Sequence, residues 1–318
     1  MILIHARGDE KIGIGNLSRC FELFKFLFDK YEVMAIFECN DELFKRYEYK
    51  NVFKSADVNS SLNLLKELRP EIYICDLLDA NKDLSDFLRK ECEVKNIIHF
   101  NGVEHGFEPD VLVVMDGFDY EVKNGNYQIY RGFEYYIISQ DLLKYRKKDT
   151  HIDIIKNVLI SFGGADPANF TEYFVNIIDD DKYHYTIVLG PAMSKERKEK
   201  IANIKKPNIN YVNSPKSLIN LLLQNDILVT LGGMSTYEAM VLGVPVACVR
   251  WSYLEYCVAN FAKLGMINDL FSINEAYESL INLKIADVNK RCAYARKLID
   301  ASALDNIEKI IIHLKGQM

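Results

Sequence analysis

Residues Asp226 to Pro245 read D-I-L-V-T-L-G-G-M-S-T-Y-E-A-M-V-L-G-V-P, and the order of residue types in this stretch decides the fold. Ile227, Leu228, Val229 and Leu231 form a short apolar run with β-branched members, which predicts a strand covered on both faces of a parallel sheet. Gly232 and Gly233 end it, because glycine takes positive φ without strain and lets a ligand approach the backbone closely. Ser235 or Thr236 is the natural N-cap of a helix running through Glu238, Ala239, Met240 and Leu242. Gly243 closes that helix, and Val244 to Val249 is the next strand.

A strand feeding a glycine turn and a capped helix leaves backbone N–H groups aimed above the turn, with the positive end of the helix dipole behind them. Such a turn is an anion site, most simply for a phosphate. The alternative is an ordinary βα turn in which the glycines only relieve crowding. Glu238, one turn into the helix, is placed to reach past a phosphate to a sugar hydroxyl.

The same alternation extends through the chain. Met1 to Ala6 is a strand, and Gly13-Ile14-Gly15-Asn16 is a second glycine turn that opens a helix carrying Leu17, Phe21, Leu23, Phe24 and Leu27 at helical spacing. Strands follow at Val33–Cys39, Ile72–Leu78, Asn96–Phe100 and Val111–Met115, with helices between them at Leu43–Tyr47, Leu62–Leu68 and Leu84–Glu91. A charged stretch, Tyr145 to Asp153, has no apolar period, and the alternation restarts at Asn157–Phe162, followed by the turn Gly163-Gly164-Ala165-Asp166-Pro167. The fold class is therefore α/β: two doubly wound, Rossmann-like domains, 1–150 and 151–318, facing across a cleft. The last helix, Leu304 to Leu314, is a candidate to cross back onto the first domain. Ligands of such sheets lie outside the carboxyl ends of the strands.

At 318 residues and 49% hydrophobic content the chain can bury a core in each of two domains. A net charge of -6, with no clustered run of Lys and Arg, argues against nucleic acid as the main partner. Seven cysteines are scattered without CxxC or Cys/His ligand spacing, which suits a reducing compartment and gives no metal site. Met1 to His5 reads as a strand rather than a charged leader, and no apolar run reaches the roughly 18 residues of a membrane span. The expectation is a cytoplasmic protein that requires neither metal nor cofactor.

Four segments in order carry a resemblance. They are Arg7-Gly8-Asp9 with Ile12-Gly13-Ile14-Gly15-Asn16-Leu17-Ser18-Arg19; Tyr130-Arg131-Gly132 with Tyr135; Phe162 to Thr171; and Leu231-Gly232-Gly233-Met234-Ser235-Thr236-Tyr237-Glu238. Together they resemble the PseG/SpsG group, whose best-known members are UDP-sugar hydrolases of the pseudaminic acid pathway, related to the MurG-type UDP-GlcNAc transferases and sharing their GT-B fold. The resemblance implies a nucleotide sugar, probed first as UDP-linked, in bacterial-type surface glycan synthesis. Gly232, Gly233, Ser235 and Thr236 match its diphosphate turn, Glu238 its ribose-binding carboxylate, and Gly163 and Gly164 a neighbouring wall of the same site. Gly13, Gly15, Asn16 and Asp76 fall on the sugar side.

This sequence departs from the group's Gly-x-Gly-His-x-x-Arg pattern: Asn16 stands where the group has a histidine that positions or activates water. Neutral imidazole accepts a proton near pH 7 and a carboxamide does not. Asn16 still donates and accepts hydrogen bonds. Asp9, Arg19 and His105 join Asn16 as candidates for the chemistry, with His5, His99, Asp76 and Asp79 at comparable strand ends. Ser252, Tyr253, Leu254 and Glu255 also depart from the group's Asn-Gln pair near the nucleotide. Three functions stand: hydrolysis of a nucleotide sugar, glycosyl transfer on the same scaffold with Phe26 and Phe28 as exposed contacts for a membrane-bound acceptor, and nucleotide-sugar binding without turnover. The oligomeric state is not legible.

Overall fold

A computed structural model describes residues 1–318 apart from 10, 103–104, 119–120, 123–124, 147–148, 180, 253 and 317–318, so Tyr253 and part of the stretch Tyr145–Asp153 lie outside the described residues. The chain forms two compact units, one of Met1–Asp9, Ile14–Ser139 and Ala301–Met318, the other of Glu10–Gly13 and Gln140–Asp300.

In the first unit β1 (Ile2–Arg7), α1 (Gly15–Phe28), β2 (Val33–Glu38), α2 (Asp41–Phe44), β3 (Val52–Ser55), α3 (Val58–Leu68), β4 (Ile72–Asp76), α4 (Lys82–Lys90), β5 (Asn96–Phe100), β6 (Val111–Val114) and β7 (Gln128–Arg131) follow in order. The strands form one sheet in the order β3-β2-β1-β4-β5-β6-β7, every described pair parallel. β4 and β6 are buried along their whole length, as apolar runs covered by helices on both faces must be. Leu3, Ile36, Tyr73, Leu88 and Ile97 anchor one core layer.

The second unit runs β8 (Asn157–Ile160), α5 (Phe170–Ile177), β9 (His184–Leu189), α6 (Lys195–Ala202), β10 (Ile209–Asn213), α7 (Ile219–Gln224), β11 (Ile227–Thr230), α8 (Met234–Leu242), β12 (Val246–Cys248), α9 (Leu254–Lys263), β13 (Asn268–Asp269), α10 (Ile273–Ile281) and α11 (Ile285–Leu298). Its sheet has the order β10-β9-β8-β11-β12-β13, again parallel throughout. Val158, Ile160, Phe162, Phe174, Tyr185, Ile227 and Val229 fill its core. The final helix, α12 (Ala303–Gly316), packs on α1 of the first unit. There Glu308 accepts from Lys30 Nζ at 2.8 Å and from the Tyr31 hydroxyl at 2.9 Å.

The alternation agrees with the sequence reading, while α2, α3 and α4 start two to four residues before Leu43, Leu62 and Leu84, and three further differences stand out. β3, β7 and β13 have no counterpart in the apolar pattern; all are short strands at or beside a sheet edge, where fewer faces need covering. The N-cap of α8 is Gly233, not Ser235 or Thr236, which fall inside the first turn. Phe26 and Phe28 are half-buried rather than exposed: Phe28 packs on Phe24 and Tyr49, and Phe26 lies under the Lys30 ammonium.

Among the described residues no helix is long and apolar enough to cross a membrane, and no group of three or more His, Cys, Asp or Glu side chains is placed to hold a metal.

Candidate functional site

Each sheet has one place where the strand order reverses. In the second unit the chain moves outward from β8 to β9 and β10, then returns to the other side of β8 with β11. The carboxyl ends of β8 and β11 therefore flank the crevice of that sheet. The turns after these two strands are Phe162-Gly163-Gly164 and Leu231-Gly232-Gly233, so strand pairing brings together the two glycine turns that the sequence singled out.

The four glycines do different work. Gly232 has φ +87°, and a Cβ there would sit 2.7 Å from Val258 Cγ2, so it is needed for the turn itself. Gly233 has φ -84° and nothing within 4 Å of a Cβ position, so a side chain is excluded neither by conformation nor by protein atoms. Gly163 is exposed with φ +87° and likewise has open space above it. The Gly164 turn is backed by a residue that sequence reading missed: a Cβ on Gly190 would meet Gly164 O at 2.3 Å and Gly163 O at 2.5 Å. Ala192 N–H bonds Gly164 O at 2.8 Å, so the end of β9 fixes the turn from behind. The only sequence signal was a glycine at the close of a strand, followed by Pro191.

α8 starts at Gly233 with no side-chain cap and no acidic residue in its first turn. The N–H groups of Met234 and Ser235 have no acceptor among the described residues, and the half-buried Ser235 hydroxyl makes no hydrogen bond there either. These donors sit at the positive end of the helix dipole beside the open face of Gly233. Thr236 differs from expectation. It is fully buried, its hydroxyl against Cys248 Sγ at 3.8 Å and its N–H bonded to Gly233 O, so its side chain serves the helix–strand contact. Glu238 is half-buried one turn further on.

Asp166 and Arg197 brace the other turn. The buried Asp166 carboxylate accepts from Phe170 N–H and Thr171 N–H, both at 2.9 Å, which caps α5 although Asn169 holds the N-cap position. Arg197 donates to Ala165 O at 3.2 Å and Asp166 O at 2.7 Å. Burial raises the Asp166 pKa despite these N–H bonds.

In the first sheet the reversal lies between β1 and β4. At the carboxyl ends of this pair stand Arg7 and Asp76, with the start of α1 at Gly15 and Asn16 beside them. Gly13 has φ +85°, and Gly15 has no protein atom within 4 Å of a Cβ position. Arg19 forms a fork on Asp76, with Nε 2.5 Å from Oδ2 and Nη2 2.6 Å from Oδ1. Both are buried, at 9% and 1% exposure, so the guanidinium is spent on the Asp76 carboxylate. Burial by itself would lower the Arg19 pKa; the Asp76 charge and hydrogen bonds outweigh it and raise it. Asn16 joins the pair, its Oδ1 accepting from Arg19 Nη2 at 2.9 Å.

The remaining candidates are dispersed. Asp9 is half-buried just past β1. His105 is exposed, with φ +51°, its carbonyl accepting from Lys82 N–H at the start of α4. His99 is buried against Phe107, 4.9 Å between ring centroids, and its Nε2–H donates to Gly102 O at 3.0 Å. Burial lowers its pKa. His5 is a core residue, bonded through Nδ1 to the Tyr73 hydroxyl at 2.6 Å and through Nε2 to Glu38 at 2.9 Å. Arg7 spans Glu38 and Asp79, at 2.5 Å from each.

Two parallel-sheet α/β units of this kind define the two-domain GT-B fold. MnaA of S. aureus, in a co-structure with UDP, superposes with a TM-score of 0.65 at 12% identity, covering 100% of this chain and 97% of that one. No protein-family model matches the chain. The chain is 26% identical over 304 residues to the uncharacterized protein MJ1062 of Methanocaldococcus jannaschii, covering 87% of its own length and 61% of that protein's. It is 24% identical over 285 residues to SpsG, the spore coat polysaccharide biosynthesis protein of Bacillus subtilis, covering 84% of its own length and 82% of SpsG.

Proposed function

We propose that the protein is an enzyme acting on a nucleotide-activated sugar, with UDP as the nucleotide, in the synthesis of a surface polysaccharide. The observation that carries this reading is the meeting of Gly163–Gly164 and Gly232–Gly233 at the switch point of the second sheet, where α8 begins uncapped. Free backbone donors, the Ser235 hydroxyl and the helix dipole suit a diphosphate, and Glu238 suits a ribose hydroxyl. The reading is supported by the likeness to SpsG, a spore coat polysaccharide biosynthesis protein, and by the fold shared with MnaA, whose co-structure holds UDP.

The reaction proposed first is hydrolysis. Water oxygen attacks the phosphorus that carries the sugar, the bond from that phosphorus to the UMP oxygen breaks to leave UMP and sugar 1-phosphate, and the charge that develops on the departing UMP is held by the start of α8. Asp9 and His105 are the groups proposed to take the water proton, because Asn16 cannot and His99 is buried. Glycosyl transfer is the second reading. It is favoured by Asn16 itself, a carboxamide that cannot take the proton of an attacking water and whose oxygen already has one lone pair engaged by Arg19.

The test is incubation of the purified protein with UDP-, CMP- and GDP-sugars without an acceptor, following nucleotide release by chromatography and phosphorus by NMR. UMP with sugar 1-phosphate supports hydrolysis at phosphorus. Binding without release moves the reading to transfer or to a binding role, and absence of binding to every UDP-sugar refutes the nucleotide assignment.

A further inference from the structure

The solvent-facing side of α11 in the second unit carries charges that the glycine-turn site does not use. Lys290, Arg291, Tyr294 and Lys297 recur at three- and four-residue spacing and so share one side of the helix. Lys263 ends α9, with Leu264 and Gly265 directly after it. Together these residues wall an open groove of about 560 Å³, whose other lining residues are Asp287 and Ala293. Arg291 Nη1 donates to Ile267 O at 2.7 Å, which ties α11 to the segment after α9.

The groove holds four cations against one carboxylate, in a chain of net charge -6. The ammonium groups of Lys263, Lys290 and Lys297 make no ion pair and no hydrogen bond among the described residues. Other surface lysines do: Lys25 meets Glu22, Lys66 meets Glu91 and Lys200 meets Glu172. Asp287 stands in the first turn of α11, where it complements the helix dipole. Positive charge continues along the same helix, because Arg146 donates to Arg296 O at 2.6 Å, and burial together with the Arg296 charge lowers the Arg146 pKa. Like charges gathered without counter-charges repel one another, and an anion from outside relieves that repulsion.

The residue types decide which anion. A carboxylate or phosphate on a peptide is gripped by free guanidinium forks, and the arginine of this groove is already engaged by Ile267. Lysine instead offers a mobile point charge on a long apolar stem, suited to a surface of many phosphates. Tyr294 and Leu264 in the groove are exposed, as is Leu298, one turn beyond Tyr294. Tyrosine with an apolar ring and a wet hydroxyl fits the headgroup layer of a bilayer.

We infer that the groove between α9 and α11 docks the protein on a membrane surface rich in anionic phospholipid. Lys263, Lys290 and Lys297 meet headgroup phosphates, and Tyr294 and Leu264 enter the layer between them. The inference is independent of the nucleotide-sugar reading, since none of these residues belongs to the glycine turns.

The experiment is co-sedimentation of the full chain with vesicles of phosphatidylcholine alone and of phosphatidylcholine with about one-third phosphatidylglycerol. The protein is expected on the anionic vesicles only, and more weakly as salt rises. One lysine near an anionic surface is worth about fivefold, so Lys290→Glu/Lys297→Glu should weaken partitioning by roughly 25-fold or more. Tyr294→Ala should weaken it by a smaller factor. Lys195→Glu/Lys200→Glu on α6 changes net charge equally, at lysines already paired with Glu199 and Glu172, and should bind as the parent does. Melting temperature and UDP affinity should be the same in all of these variants. Equal binding to neutral vesicles, equal loss in the α6 variant, or full binding by Lys290→Glu/Lys297→Glu overturns the inference. It is also overturned if glycerol phosphate or polyglutamate binds as tightly as the vesicles and loses that binding in Lys290→Glu/Lys297→Glu, because the groove then serves a soluble anion or an acidic protein. Absence of UDP binding in the parent refutes the nucleotide reading and leaves this one standing.

Discussion

Arg19 and Asp76, 57 positions apart in sequence, meet as a buried fork with N–O distances of 2.5 and 2.6 Å at the switch point of the first sheet. Removing one partner leaves the other charge buried and unpaired. Asp76→Ala is therefore expected to cost about 3–5 kcal/mol. The double variant Asp76→Ala/Arg19→Ala should cost clearly less than the two single losses added together. Urea unfolding of the three variants checks this; additive losses would mean that the pair is not coupled.

Neighbouring glycines of the second unit should respond oppositely to alanine. Gly233→Ala meets no protein atom and keeps an allowed φ, so stability holds while UDP binding weakens on the order of tenfold, about 1.4 kcal/mol. Gly232→Ala forces a methyl against Val258 at φ +87°, so it lowers the melting temperature first. Thermal melts beside UDP titrations separate the two effects. Full UDP binding by Gly233→Ala would show that no ligand lies over this turn.

Gly190→Ala places a methyl 2.3 Å from Gly164 O, which is backbone and cannot swing aside. The expected loss is about 1–3 kcal/mol, as for other overpacked sites. Because the displaced atoms belong to the Gly163–Gly164 turn, UDP affinity should fall as well. A variant with unchanged melting and unchanged binding would mean that the close approach at Gly190 does not constrain the turn.

Acid should act on the first unit through Glu38. Burial favours its neutral form, but hydrogen bonds and charge from His5 and Arg7, with Ser61, outweigh it and hold the pKa at about 2, below the usual 4.5. A depressed folded-state pKa gives stability that is complete above the unfolded value and lost as pH falls from about 4.5 toward 2. The amount is on the order of 3 kcal/mol. Glu38→Gln should be less stable near neutral pH and flatter across that acid range, as read from melting temperatures between pH 2 and 7. Parallel curves for the two proteins would remove Glu38 from the acid response.

Thr236 shows the limit of motif reading. A hydroxyl after two glycines looks like a phosphate ligand, yet helical geometry turns this one into the core against Cys248, while Ser235, one residue earlier, stays half-buried with no hydrogen-bond partner among the described residues. Adjacent residues on a helix point about 100° apart, so which of the two faces a ligand depends on where the helix starts. Taking the N-cap as Ser235 or Thr236 displaced that start from Gly233.

The sequence by itself determined what is local. Runs such as Ile227–Thr230 are apolar and β-branched, the glycines after them permit tight turns, and the helices carry apolar residues at helical spacing; all are encoded within a few residues of one another. The edge strands β3, β7 and β13 were not legible, because they are short and leave almost no apolar period. Only the tertiary structure decided which turns meet. Pairing of β8 with β11 sets Gly163 near Gly232, and pairing of β1 with β4 brings Asp76 under Arg19 and Asn16. The physical reason is that a strand's residue pattern specifies burial and period but not its neighbour, which is selected by the cooperative packing of whole sheets and helices.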